Sequence, residues 1–237
     1  MSYNLPNVED KPAYVRGMFD RIAGNYDRVN RLMTGGRDAA WKRTVLALAG
    51  ATRGGSYLDL CTGTGDIAFL LAEAAGAEGS VKALDFSPGM LEVARARPWD
   101  GPVIDWLQGD ACALPFEDAS FDAVTVGYGL RNVQQLDLAL SEIRRVLKPA
   151  GRFVTLDLGK PKVKIVRWGA EVYEYRIVPA IGSLFSGDRE AYRYLPHSNS
   201  TFPDQRELAE RLRALGFQEV KVHDRMLGAI AIVAGTR

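Results

Sequence analysis

At 237 residues the chain is long enough for one large domain or two small ones, since domains commonly run about 100 to 200 residues. Its 30 Lys and Arg against 29 Asp and Glu leave a net charge of +1, which removes the electrostatic case for a nucleic-acid surface and favours a small-molecule partner. Cys61 and Cys112 lie far apart without CxxC spacing, so no zinc site or disulfide framework is suggested, and no other ligand cluster points to a metal.

The opening, MSYNLPNVED, is polar and acidic, unlike a secretory signal, and the apolar run LGAIAIVAG near the end is far shorter than the roughly 20 residues that span a bilayer. A soluble, cytoplasmic protein is expected. Val15, Phe19, Ile22 and Tyr26 step by four, three and four, which predicts an amphipathic helix across the N-terminal region.

From residue 56 to 160, short apolar runs alternate with longer helical patterns, the grammar of a parallel sheet flanked by helices. The predicted strands are SYLDL, VKALD, VIDWL, FDAVTVG and RFVTLDL. Between them DIAFLLAEAA, SPGMLEVARAR and LDLALSEIRRVL carry apolar residues at helical steps. Ser87-Pro88 reads as an N-cap followed by a first-turn proline, and Pro149 with Gly151 stops the helix ending at Leu147-Lys148.

After the fifth strand, Ile165, Trp168, Val172 and Tyr175 recur at helical spacing among basic residues, before a stretch punctuated by Gly and Pro; residues 161–203 read as an inserted cap. The chain closes with a helix in DQRELAERLRALGF, ended by Gly216, and two strands, QEVKVHD and GAIAIVAG, near enough to form a hairpin. The total is about seven strands.

The first strand runs into LDLCTGTGDIA, where Gly63, Gly65 and Ala68 satisfy the Ala-terminated dinucleotide-binding pattern. Such glycines let a ligand approach a helix N-terminus closely. Asp59 before the loop and Asp66 after it would repel a pyrophosphate and attract the ammonium and sulfonium of S-adenosylmethionine, so the flanking charge favours the methyl donor over NAD. Asp85, with Phe86 beside it, closes the second strand about twenty residues on, where a carboxylate can accept both ribose hydroxyls. Asp110-Ala111 follows the third strand and could read an adenine edge. Asp66 could equally stabilise a helix N-terminus, and Asp110 could shape a turn.

LDLCTGTGD, ALDFSPGML, QGDACALPFEDASFDAV and RRVLKPAGR, in that order, resemble the motifs of class I S-adenosylmethionine-dependent methyltransferases. MFDRIAGNYDRVNRLMTGG, YGLRNV, IGSLFSGDREAYRYLPHS and FPDQ extend the resemblance over almost the whole chain, to the UbiE/MenG family of quinone-biosynthesis C-methyltransferases. The resemblance implies a Rossmann-like α/β fold with a seven-stranded, mostly parallel sheet and a C-terminal antiparallel hairpin. It implies one methyltransferase domain over 1–237, made of a helical cover (1–50), a donor-binding core (56–160), the cap (161–203) and a closing helix and hairpin (204–237).

Carried over residue by residue, the family's donor-binding positions fall on Thr64, Asp85, Asp110, Ala111 and Gly127. Asp38-Ala39-Ala40 stands before Trp41-Lys42 where the family usually has a His-Arg pair, and Ala150 replaces the first glycine of a usual Lys-Pro-Gly-Gly. The implied reaction methylates a ring carbon of a prenylated quinol, demethylmenaquinol or the related benzoquinol.

Such a reaction needs a stabilised phenolate and an acceptor for the ring proton. Arg131, directly after the end of the fourth strand, is the candidate for the phenolate; Asn132 would orient the loop or ring, or else cap the next helix. Tyr26 and Tyr128 could close the pocket or belong to the core, His223 reads as structural, and His197 as a loop residue that could shuttle protons. The basic, aromatic cap could rest on an anionic bilayer while the isoprenoid tail stays in lipid, or serve as a simple lid. The apolar N-terminal helix and cap are surfaces that two chains could share in a homodimer. Rival readings are a methyltransferase for another small phenol or sterol, a dehydrogenase, and a non-catalytic module that binds the donor.

Overall fold

The computed structural model describes residues 11–186 and 188–237; the acidic opening read as unlike a signal lies outside them. Seven strands form one sheet in the order β3-β2-β1-β4-β5-β7-β6. They are β1 (Ser56–Leu60), β2 (Ser80–Asp85), β3 (Ile104–Gln108), β4 (Phe121–Gly127), β5 (Leu147–Leu158), β6 (Gln218–Arg225) and β7 (Ile230–Thr236). The first five run parallel, and β7 lies antiparallel between β5 and β6. The expected hairpin therefore inserts its second strand next to β5.

Helices cover both faces, so the inner strands are apolar nearly throughout rather than alternating. Leu58, Leu60, Val124, Val126 and Phe153 are all fully buried, each worth roughly 1.5–3 kcal/mol of transfer from water. They pack with α6 (Leu136–Val146) and α10 (Gln205–Ala214) on one face. The opposite face carries α3 (Asp38–Ala49) and α4 (Asp66–Ala75). Asp59, next to the end of β1, and Asp157, near the end of β5, are carboxyl groups within this apolar layer, 1 % and 4 % exposed.

Strand order reverses between β1 and β4. In an open α/β sheet that reversal leaves a crevice beyond the strands' carboxyl ends. The glycine loop after β1 and the YGLRN segment after β4 meet there.

Three sequence expectations change. The single N-terminal helix is two, α1 (Lys11–Ile22) and α2 (Tyr26–Thr34), joined by a tight turn at Ala23–Asn25, so Tyr26 opens the second helix instead of closing the first. β5 starts at Leu147, five residues before the predicted strand, with an irregular register against Phe121 and Ala123. Pro149 and Ala150 lie inside that irregularity, and Ala150 takes a left-handed backbone at φ 64° where the family has glycine.

The cap is helical where Gly and Pro predicted interruption: α7 (Lys164–Val172), a π-helical turn (Tyr173–Ile177), α8 (Val178–Ser186) and α9 (Arg189–Thr201). Val172 and Val178 keep right-handed helical dihedrals, so α7, the π turn and α8 follow one another without a break; Pro179 comes two residues after the π turn, and Pro196 lies inside α9. Tyr192 and Tyr194 of α9 are buried against Val15, Met18 and Ile22 of α1, which joins cap and N-terminal helices into one apolar layer over the crevice.

Candidate active site

Two cavities open at the crevice, and they share the rings of Tyr26 and Tyr128. The smaller, about 90 Å³, is floored by the strand ends: Gly63 after β1, Asp85 and Phe86 after β2, Asp110 and Ala111 after β3, and Gly127 closing β4. Its roof is α1, through Val15, Arg16 and Phe19. Lys11 at the start of that helix donates to the carbonyl of Val133 at 3.0 Å, and Asp20 near its end accepts from the Ser87 hydroxyl at 2.6 Å and the Gly89 amide at 3.0 Å. Small-molecule sites usually enclose about 300–1,000 Å³, so the donor-side cavity is narrow with α1 in this position.

Gly63 has φ 58°, and a Cβ there would meet nothing within 4 Å; the backbone is left bare so that a ligand can reach it. Its amide and that of Ser87 donate to the Asp85 carboxylate at 2.7 and 2.9 Å. Burial nonetheless pushes Asp85 up to about 6, the two amides only partly opposing it. Asp110 fixes its own loop by accepting from the Cys112 amide at 2.8 Å.

Of the nine residues assigned to the donor, Gly63, Asp85, Phe86, Asp110, Ala111 and Gly127 line this cavity; Asp59, Thr64 and Gly65 lie behind it. Thr64 turns its hydroxyl to Asp27 of α2. Gly65, at φ 90°, leaves room for the Trp106 ring, which a Cβ would strike at 2.5 Å. Asp59 is enclosed by the hydroxyls of Thr62 and Thr125 at 2.5 and 2.6 Å, and burial raises it to about 7.

Asp59 and Asp66 do not face the cavity, contrary to the expectation from their places beside the glycine loop. Asp66 accepts from Lys42 at 2.6 Å and from Arg97; burial opposes its ionisation, but the two cations hold its carboxyl below the usual range. Its charge is spent inside the protein. The carboxylates that do face the cavity are Asp85 and Asp110.

Asp59 carries a pH prediction. Its pKa in the unfolded chain is 3.8 and in the fold about 7, so the folded state keeps a proton that the unfolded chain has already released. The stability this lends is complete below pH 4 and disappears as pH rises through 7. Wild type should therefore lose stability relative to Asp59→Asn between pH 4 and 7 in denaturant titrations; a constant difference would contradict the assignment.

The larger cavity, about 730 Å³, lies beyond the two tyrosines. Trp41, Lys42 and Asp38 of α3, Tyr173 and Glu174 of the π turn, and Arg131 line it, with Leu227 of the β6–β7 connection at its edge. Asp38, standing where the family's basic pair is missing, is held by Thr34 at 3.0 Å and Lys42 at 3.1 Å.

Tyr128 sits between the cavities with φ 59°, an uncommon backbone for a residue with a side chain and one that clusters at functional sites. Arg131 is 7 % exposed and pairs with Asp157 at the end of β5, while its Nη1 also reaches the Tyr128 carbonyl at 2.8 Å. Burial alone would lower the guanidinium, but Asp157 overrides it and holds Arg131 above its ordinary value. Arg131 Nε, Asn132 Oδ1 and the Tyr128 hydroxyl are buried and have no partner among the described residues. Leaving such groups unsatisfied costs about 1–3 kcal/mol each, so the junction favours a polar guest.

Asn132 lines the donor-side cavity and does not cap the following helix, whose N-cap is Gln135. His197 lies on α9, packed edge-on against Tyr175, instead of in a loop. His223 is in β6 as expected. Nothing in the sequence marks Glu174, which belongs to no local motif and meets Trp41 only because the cap folds over α3.

The sheet order and the ligand crevice are those of the class I methyltransferase fold. A methyltransferase of Aquifex aeolicus described as S-adenosylmethionine-dependent superposes with a TM-score of 0.63 over 89 % of this chain and 97 % of that one, at 18 % identity. The phosphoethanolamine N-methyltransferase 2 of Haemonchus contortus, solved with S-adenosylmethionine, gives 0.62 over 84 % of this chain and 52 % of that one, at 16 % identity.

Within that class the sequence is more specific. The ubiE/COQ5 methyltransferase family model matches residues 7–237, and the chain belongs to that family. It is 38 % identical over 232 residues to the demethylmenaquinone methyltransferase of Desulfitobacterium hafniense, covering 97 % of this chain and 92 % of the relative. It is 40 % identical to that of Symbiobacterium thermophilum, covering 99 % and 97 %. The ubiquinone/menaquinone biosynthesis C-methyltransferase UbiE of Saccharophagus degradans is 36 % identical, with 99 % and 96 % covered.

Proposed function

We propose that this methyltransferase moves a methyl group from S-adenosylmethionine to a ring carbon of a prenylated quinol, with demethylmenaquinol as the leading substrate and the benzoquinol of ubiquinone synthesis as the alternative. The observation that carries the reading is the pair of cavities joined at Tyr26 and Tyr128, one nucleoside-like in its fittings and one large and mostly apolar.

The donor, when bound, supplies an electrophilic sulfonium methyl. On the protein's side, Asp85 is placed to take the ribose hydroxyls, Asp110 and the Ala111 backbone the base, and bare Gly63 permits close approach. Asn132 offers its free carbonyl at the junction, where the donor's ammonium or a ring hydroxyl would satisfy it.

In the larger cavity Arg131 would stabilise the phenolate that makes the ring carbon nucleophilic. It stays protonated at any working pH, and Asp157 holds it still, so no reorganisation is needed as charge develops. Tyr26 and Tyr128 would keep ring and methyl in line and exclude water.

The quinol's tail would leave through the cap. α7 has no buried residue, and its Ile165 and Trp168 are 69 % and 63 % exposed, as is Leu227 at 77 %. Exposed Lys162, Lys164 and Arg167 surround them. Val166, Gly169 and Ala170 of the same helix line the larger cavity, so the apolar rim continues into the site, and an anionic bilayer is the surface that fits it. Among the described residues no helix is long and apolar enough to cross a membrane, so this contact would be peripheral. Flotation with anionic liposomes at low salt should recover the protein, and Trp168→Ser with Leu227→Ser should cut recovery at least fivefold; equal recovery would reject the contact.

Incubation with labelled S-adenosylmethionine and reduced demethylmenaquinone tests the function. Transfer to the quinol is expected; transfer only to small catechols would favour the rival phenol methyltransferase.

A further inference from the structure

An arginine that stabilises a phenolate leaves open where the phenol's proton goes. The groups around the larger cavity narrow the choice. Asp38 is engaged by Thr34 and Lys42, and Lys42 is shared with Asp66. Asp157 is buried behind Arg131 and does not reach the cavity wall. His197 is turned to Tyr175, outside the lining. Burial raises the phenols of Tyr26 and Tyr173, so they stay protonated.

Glu174 remains. It lines the cavity from the π-helical turn Tyr173–Ile177, a conformation that recurs at functional sites because it inserts a residue and re-aims a side chain. Asn199 of α9, itself 7 % exposed, donates its amide to both Glu174 oxygens at 3.1 and 3.4 Å. That orients the carboxylate without neutralising it.

We propose that Glu174 is the catalytic base of the reaction, taking the proton of the quinol hydroxyl ortho to the carbon that is methylated. The proposal rests on the assignment of the larger cavity to the quinol.

The step balances. As the O–H bond breaks, its proton goes to Glu174 and the oxygen's electron pair moves toward the ring. The ring carbon forms the new C–C bond while the C–S bond breaks onto sulfur, leaving a neutral dienone. Loss of the ring proton to water restores aromaticity and returns the oxygen to phenolate, which takes back the proton held by Glu174. One proton leaves for solvent, and no oxidant or reductant is required.

The surroundings favour proton uptake by Glu174. Burial raises Glu174 above its ordinary value, and Asn199 and Arg131 oppose the shift while Glu171 and Asp157 add to it. Tyr192 and His197 lie on the helix that carries Asn199, Tyr173, Tyr175 and Arg176 on the turn itself, and Arg167 on α7. Lys42, Asp38 and Arg37 stand on the α3 side of the cavity.

The test compares pH–rate profiles of methyl transfer to reduced demethylmenaquinone, with S-adenosylmethionine titrated by calorimetry. Glu174→Gln should lower kcat about 100-fold or more, leave KM for the quinol and the donor affinity within about threefold, and abolish the acid limb of the kcat profile measured at saturating donor, where the titration of Asp85 does not enter. Glu174→Asp should keep that limb. Asn199→Ala, which removes hydrogen bonds to the charged form, should move it to higher pH. A Glu174→Gln enzyme within threefold of wild type, with its acid limb intact, would overturn the proposal. A wild type that binds the donor and methylates no quinol would overturn the substrate assignment beneath it instead.

Discussion

Arg131→Ala should lower kcat for quinol methylation by about 10³-fold, the loss seen when one donor to a developing oxyanion is removed. It should also destabilise the fold by about 3–5 kcal/mol, because the Asp157 carboxylate is left buried and uncompensated. The two effects separate in a second variant. Arg131→Met combined with Asp157→Leu replaces both charges by apolar groups of similar volume, which is often neutral for stability. It should recover the denaturation midpoint and none of the activity. Activity returning with stability would show that Arg131 serves the fold alone.

Asp85→Asn should weaken S-adenosylmethionine binding by about 10- to 100-fold, since each hydrogen bond to a charged group contributes roughly 1.5–3 kcal/mol and the amide accepts at only one atom. The wild-type affinity should itself depend on pH. Below about 6 the Asp85 carboxyl takes a proton and loses acceptor capacity, so binding should weaken as pH falls through that value and hold steady above it. Calorimetric titrations between pH 5 and 8 would show the slope in wild type and its absence in Asp85→Asn. An equal slope in both would move the titrating group elsewhere.

The donor side of this site was legible in the sequence because its parts lie at the ends of consecutive strands. Gly63, Asp85, Asp110 and Gly127 each lie at the end of a strand or within three residues after it, and a parallel sheet brings such ends to one edge. The same local reading misjudged Asp66. Its neutralising partners, Lys42 and Arg97, come from α3 and from the end of α5 (Pro88–Ala96), and nothing in the glycine motif announces them.

The acceptor side was largely illegible. Its wall is assembled from α2, α3, the π turn, α9 and the β6–β7 connection, elements distant in the chain and individually ordinary. Arg131 was found because it follows a strand end; Asp157, which holds it, is the last residue but one of the adjacent strand β5, and no motif marks it. Glu174 depends on a single turn of π helix, which helical periodicity cannot reveal.

The central claim is carbon methylation of a quinol, and the position of the transferred methyl tests it most directly. Purified protein supplied with S-adenosylmethionine carrying a 13C methyl and with reduced demethylmenaquinone should give a product whose label resonates as an aryl methyl and survives oxidation to the quinone. A label resonating as a methyl ether, which blocks that oxidation, would contradict the account.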